Sequence, residues 1–285
     1  RDQAYCAAFR ECLVQENLTF YRKFWGLKAW PLSSPLYFVK SKGSEMENFT
    51  FIDRYFHSQK ELVDIRQYEQ RDINSLFSYL NNLHSLSDKF REHFNITLSN
   101  YPEFKILRIL RNFFHHVGDI DEKRMFVNLQ QDVSVYHLEQ IIIPLRIWAE
   151  SINNFVDKNT LPRTDKRFKN KQKYVNKEFD SILDSCDCVD IIRNPKLFCK
   201  PLLLKCDGVV VELGFDIFKF VYNISNIIAD ECRKIPVLAQ KKVILALDES
   251  YNISNNIPKH DLSIHAGANC ILTTEGYIFP SSIGK

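Results

Sequence analysis

Arg111-Asn112-Phe113-Phe114-His115-His116 is the stretch of this chain whose side chains could do chemistry together. An arginine stays charged at physiological pH and can fork two N–H donors onto two phosphate oxygens. A histidine exchanges protons near neutrality. An amide beside them can orient either group. Together they suit phosphodiester cleavage, in which one group accepts a proton, one donates a proton and a fixed cation stabilises charge growing at phosphorus.

The cluster must be carried by a helix spanning 101–117. Asn100 can cap it, Pro102 suits its first turn and Gly118 can end it. With each residue advancing about 100° around the axis, Phe104, Ile106, Leu107, Ile109, Leu110, Phe113, Phe114 and Val117 form one broad apolar side. Lys105, Arg108, Arg111, Asn112, His115 and His116 share the opposite side, which is expected to face solvent and RNA. Asn112 and His116 are four apart, so the amide is expected to steer the imidazole. A helix C-terminus favours positive charge and would raise a histidine's pKa.

Other helices would hold this one in place. Residues 5–25 read as a first helix, Pro31 and Pro35 then break the chain, and 41–48 reads as a loop. A long helix is expected over 58–86, with Ile73, Leu76, Phe77, Leu80 and Leu83 as its apolar stripe. A fourth is expected over 133–156, with Ile141, Leu145 and Trp148 facing inward and a bend at Pro144. Further helices are expected over 179–188 and 209–232, and a short strand or buried turn at 243–245. The fold class is mainly α. A helical bundle would occupy 1–160, a basic linker 161–177 and a mostly helical accessory region 178–285. Lys and Arg supply seven of the fifteen residues 163–177. Such a stretch reads either as a solvated connector or as an arm for a nucleic-acid backbone, through Lys166, Arg167, Lys169, Lys171 and Lys173.

Composition limits the alternatives. A chain of 285 residues, 45% hydrophobic, can fill one large core or two modest ones. The formal net charge of +3 names no partner by itself. No apolar run reaches the roughly 18 residues of a membrane span, so no membrane partner is expected. The N-terminus, Arg1-Asp2-Gln3-Ala4, is not a signal peptide and lacks Met, which removal of an earlier segment would explain. The eight cysteines read mainly as reduced core residues, giving a cytoplasmic expectation. Five Asn-x-Ser/Thr sequons, at Asn17, Asn48, Asn95, Asn223 and Asn252, keep a secreted helical protein as an alternative. Two metal patterns rank low: the stripe Asp180, Asp184, Asp187, Asp190, and Cys186, Cys188, Cys199, Cys206, which lacks paired C-x2-C arms. No metal or other cofactor is expected.

Arg111-Asn112-x3-His116 resembles the RNxxxH form of the R-x4-6-H motif of HEPN domains. The broad motif has roughly one chance match in a chain of this composition, and Arg108-x6-His115 also fits it; requiring Asn after Arg lowers the expectation to about 0.03. HEPN proteins are helical bundles, many of them metal-independent ribonucleases of bacterial toxin and antiviral systems. The resemblance implies catalysis by His116, phosphate contact by Arg111 and orientation by Asn112, with His115 and Arg108 as auxiliaries and Lys105 among the RNA contacts. It also implies an antitoxin or sensor partner and a homodimer that brings two motifs into one cleft. No second RNxxxH exists here: Arg193-Asn194 is followed by Pro195, with Phe198 where His is required. The Tyr that some HEPN toxins carry two positions after the histidine is Gly118 here, so that regulation is not implied. The remaining alternative is a helical module that binds RNA or protein without catalysis.

Overall fold

The computed structural model describes residues 48–63, 74–120, 122–131, 134–186, 189–206, 209–258, 271–273 and 276–278. The chain is mainly helical, as its apolar periodicity predicts, with short antiparallel sheets between the helices. The expected helix over 5–25 and the breaks at Pro31 and Pro35 lie outside the described residues. Among the described residues, no helix is long and apolar enough to cross a membrane.

Two helices flank the site helix on its N-terminal side: α1 (Thr50–Val63) and α2 (Ser75–Phe94). The single long helix expected over 58–86 falls on two elements, the end of α1 and most of α2, which starts at Ser75 after a turn at Asn74; residues 64–73 lie outside the described set. On α2, Leu76, Tyr79, Leu80, Leu83, Leu86 and Phe90 are buried, while Phe77 turns aside to meet Phe114 at 4.9 Å between ring centres. Asn95 ends α2 in the left-handed region (φ 56°), where its short polar side chain is tolerated, and the Ile96 amide donates back to the Phe90 carbonyl.

The site helix α3 (Pro102–His116) starts at its proline as expected. Asn100 does not cap it; that residue belongs to a 3-10 turn (Leu98–Asn100), and the position before the helix is Tyr101. At the other end the Val117 and Gly118 amides both close on the Phe113 carbonyl, without a left-handed glycine. Phe104, Lys105, Ile106, Leu107, Ile109, Leu110 and Phe113 are all buried. Such wide burial makes α3 the centre of the molecule, packed on four helices: α2, α4 (Leu145–Asn159), α5 (Phe168–Leu183) and α7 (Phe218–Arg233).

The fourth expected helix is half strand. β1 (Lys123–Gln131) and β2 (Ser134–Pro144) form an antiparallel hairpin, and β5 (Gly214–Asp216) adds to the other edge of β2 in the order β1-β2-β5. Pro144 therefore does not bend a helix but divides a strand from one. It cannot donate to a preceding carbonyl and it keeps Ile143 out of helical conformation, while the run Ile141-Ile142-Ile143 is wholly buried and suits a strand.

The region past 160 departs further. The stretch read as a connector forms a turn, in which the Asp165 carboxylate takes the Arg167 amide and guanidinium, and then α5. Next come α6 (Val189–Arg193), then β3 (Leu203–Cys206) paired with β4 (Val209–Glu212). The predicted helix over 209–232 is thus strand up to Asp216, as three consecutive valines favour, and helix from Phe218. Residues 243–245 are neither strand nor turn: α8 (Pro236–Ala239) and α9 (Lys242–Leu245) are short helices. β6 (Ile271–Thr273) and β7 (Gly276–Ile278) pair with each other.

No separate accessory core exists among the described residues. α7 is buried on nearly every face and shares one apolar cluster with α1 to α4. Two of its polar side chains are satisfied across the fold: Asn223 donates to the Ile257 carbonyl at 3.0 Å and accepts from the Ile257 amide at 2.8 Å. Ser225 meets the Tyr55 hydroxyl at 2.9 Å. The Asn223 sequon is therefore closed to glycosylation in the folded protein, whereas Asn48 and Asn95 are exposed.

Candidate active site at the C-terminal end of α3

The motif residues emerge from the core in sequence order. Arg111 and Asn112 are half-buried, and His115 and His116 are exposed. The Arg111 Nε donates to Asn81 Oδ1 of α2 at 3.2 Å, and Nη1 donates to Asn112 Oδ1 at 3.3 Å. These two bonds use Nε and one Nη1 hydrogen, so the Nη2 hydrogens and the second Nη1 hydrogen remain to donate to an anion. Because a guanidinium only donates, Asn112 must turn its oxygen to Arg111, which leaves its Nδ2 hydrogens available.

Asn112 therefore positions Arg111, not His116 as its spacing predicts. His116 instead meets its neighbour: the two Nδ1 atoms of His115 and His116 lie 3.3 Å apart, with the ring planes at 69°. One nitrogen must carry a proton and the other accept it, so the contact is lost when both rings are doubly protonated.

The expectation of a raised histidine pKa is reversed. Loss of hydration first, then the charges of Lys158, His115 and Arg111, push His116 below its ordinary value of 6.5. Loss of hydration and the neighbouring cations all act against the charged ring. A lowered pKa means the proton leaves at a more acidic pH, so His116 is predominantly neutral and able to accept a proton at pH 7. Lys158→Ala is expected to move the His116 midpoint upward, toward 6.5, in an NMR titration of the imidazole protons at low salt; an unmoved midpoint would show that the ammonium does not act on the ring.

Two residues set the site without belonging to the motif. Lys158 comes from the end of α4. His84 lies on α2, one turn beyond Asn81, and its pKa is lowered by loss of hydration and by Arg111. Its Nδ1 is buried without a hydrogen-bond partner, while Nε2 faces Asp88 at 3.9 Å. His84 belongs to no sequence motif. The spacing of Asn81, His84 and Asp88 on one helical face was the signal for it.

Other predicted contacts are placed elsewhere. Lys105 is only 4% exposed and lies 3.6 Å from Glu178 of α5, so it does not face RNA. Arg108 donates to the other Glu178 oxygen at 2.6 Å and to the Tyr174 hydroxyl at 3.3 Å. Both cations hold α5 against α3. On the basic segment, Lys166, Lys169 and Lys173 are exposed, while Arg167 is tied to Asp165. Lys171 donates to Asn159 Oδ1 at 3.0 Å and sits over the Tyr174 ring. Among the described residues no three His, Cys, Asp or Glu side chains gather as a metal site.

A cleft of about 260 Å³ opens beside the motif, lined by Ile109 and Asn112 of α3, Asn154, Phe155 and Lys158 of α4 and Tyr174 of α5. A larger groove of about 610 Å³ between α4, α5 and residues 193–197 contains none of the motif side chains. No family model, no curated protein and no solved structure matches this chain.

Proposed function

We propose that the chain is a metal-independent endoribonuclease that acts as a homodimer. The observation that carries this reading is the exposed end of α3, where Arg111, fixed by Asn81 and Asn112, stands with a neutral His116 and the Lys158 ammonium. In the reaction, the RNA 2′-hydroxyl gives its proton to an imidazole and its oxygen bonds to phosphorus. The P–O5′ bond breaks, and the leaving oxygen takes a proton from an imidazole of the paired motif. The products are a 2′,3′-cyclic phosphate and a 5′-hydroxyl. Arg111 stabilises the charge on the phosphoryl oxygens.

A dimer supplies the second motif this chemistry uses. His115, His116, Val117 and Gly118 all lie exposed around the helix end, with Val117 presenting apolar surface that a second copy can cover. Lys166, Lys169 and Lys173 offer positive charge to the RNA backbone. The likeness to HEPN motifs points to a role in bacterial antiviral defence or a toxin system, in the cytoplasm and under an antitoxin or sensor partner.

The test uses the whole chain, a synthetic RNA and the same RNA with one 2′-deoxy nucleotide, all in EDTA. Cleavage that leaves cyclic-phosphate ends and stops at the deoxy position is expected, with a dimer in sedimentation. Equal cleavage of the deoxy substrate, or an intact dimer that cuts neither, would overturn the reading.

A further inference from the structure

The cleft beside Asn112 has a chemistry of its own. Its walls come from three helices, and it shares Asn112 with the motif and Lys158 with the surroundings of His116, so a nucleotide whose phosphate meets Arg111 has this cleft within reach. Its volume, about 260 Å³, lies below the roughly 300–1,000 Å³ of pockets that enclose whole drug-sized molecules. It suits one base, with ribose and phosphate outside.

The polar lining is rich in donors. Tyr174 accepts from Arg108 through its oxygen, which leaves its own O–H to donate, and burial keeps the phenol protonated by raising its pKa. Asn112 has its oxygen taken by Arg111 and offers Nδ2. Lys158 is exposed and can only donate. Asn154 is half-buried, its side chain makes no hydrogen bond among the described residues, and it brings an amide acceptor beside its donors, whereas the Asn159 oxygen already accepts from Lys171 and the Ser151 hydroxyl donates to the Ile147 carbonyl. Ile109 and Phe155 supply apolar surface, and Tyr174 is 38% exposed. A base whose edge sets a carbonyl oxygen beside a ring N–H, as uracil and guanine do, complements such a lining: the oxygen takes a donor and the N–H meets the Asn154 oxygen. At the same edge adenine and cytosine set an amino group beside a ring nitrogen without hydrogen, which puts donor against donor and acceptor against acceptor.

We propose that this cleft is a nucleobase subsite selecting a keto base, uracil or guanine, on a nucleotide next to the cleaved phosphate. The assignment of that phosphate rests on the nuclease reading; the binding of the base can be measured without it.

The experiment titrates the full chain with the 3′-monophosphates of uridine, guanosine, cytidine and adenosine by calorimetry. At least one keto nucleotide is expected to bind about tenfold tighter than either amino nucleotide, the size of one well-made base contact. Asn154→Ala should erase that discrimination, and Tyr174→Ala should weaken all four by about tenfold through lost stacking, with Tyr174→Phe recovering most of it. Circular dichroism checks that each variant is folded. Equal or tighter binding of both amino nucleotides, or discrimination that survives Asn154→Ala, overturns the subsite. Loss of selective binding in these variants alongside a wild type that cuts no RNA keeps the subsite and removes the nuclease reading. Cleavage by the wild type with no base selectivity does the reverse.

Discussion

His116→Ala is expected to lower the rate of RNA cleavage by about 10²–10⁴-fold, the usual share of a positioned proton carrier. The melting temperature should stay within experimental error of the wild type, because the ring is exposed and touches no core residue. Arg111→Ala is expected to lose about 10²–10³-fold through the missing charge at phosphorus, together with a stability loss of about 1 kcal/mol for its bond to Asn81. His115→Ala separates the roles of the two histidines. It removes a charged neighbour of His116, so activity should fall by less than tenfold and its acid limb should shift to higher pH. The three rates on one synthetic RNA, followed by gel electrophoresis, decide the matter. A dead His115 variant beside an active His116 variant would exchange their assignments.

The second large effect concerns stability. Glu178→Ala is expected to destabilise the protein by about 3–5 kcal/mol, as when one member of a buried ionic cluster is removed. One carboxylate stands between two cations, 3.6 Å from Lys105 and 2.6 Å from Arg108, and both Glu178 and Lys105 are almost fully withdrawn from water. Without Glu178 the Lys105 ammonium is left buried and uncompensated. In a chain of this size the change corresponds to a fall in melting temperature of roughly ten degrees. A thermal melt monitored by circular dichroism measures it. The double variant Glu178→Leu with Lys105→Met should recover the part of the loss owed to Lys105, since it removes the more deeply buried unmet charge, while the partly exposed Arg108 keeps access to water. Equal losses in the single and double variants would show that the ionic cluster is not the cause. The same cluster keeps α5 on α3 and so holds Tyr174 at the cleft, which links this stability to nucleotide binding.

The sites where prediction and structure diverge have a common physical origin. Helical periodicity places Lys105 and Arg108 on a polar face, and they do lie there on α3. That face is covered because Glu178, some seventy positions later, brings a matching charge on another helix. Helix geometry says which residues share a side, but it does not say what will pack on that side. Asn112 and His116 likewise have helical spacing, yet Asn112 turns to the Arg111 guanidinium, a stronger partner than a neutral imidazole.

The sequence alone determined the mainly helical class, the start of α3 at Pro102, its buried apolar side and the joint emergence of Arg111, Asn112, His115 and His116 at its end. These features follow from hydrogen bonds and side-chain spacings within one or two helical turns. Tertiary structure alone decided that 134–144 is strand, since a ladder needs β1 and β5 as partners, and β5 lies about seventy residues downstream. It decided that α7 belongs to the same core as α1 to α4, because its buried Asn223 and Ser225 find partners far away in sequence. It also brought Lys158, Tyr174 and Asn154 to the motif and so built the cleft beside it. Local spacing could place the reactive groups; packing between distant segments determined what surrounds them.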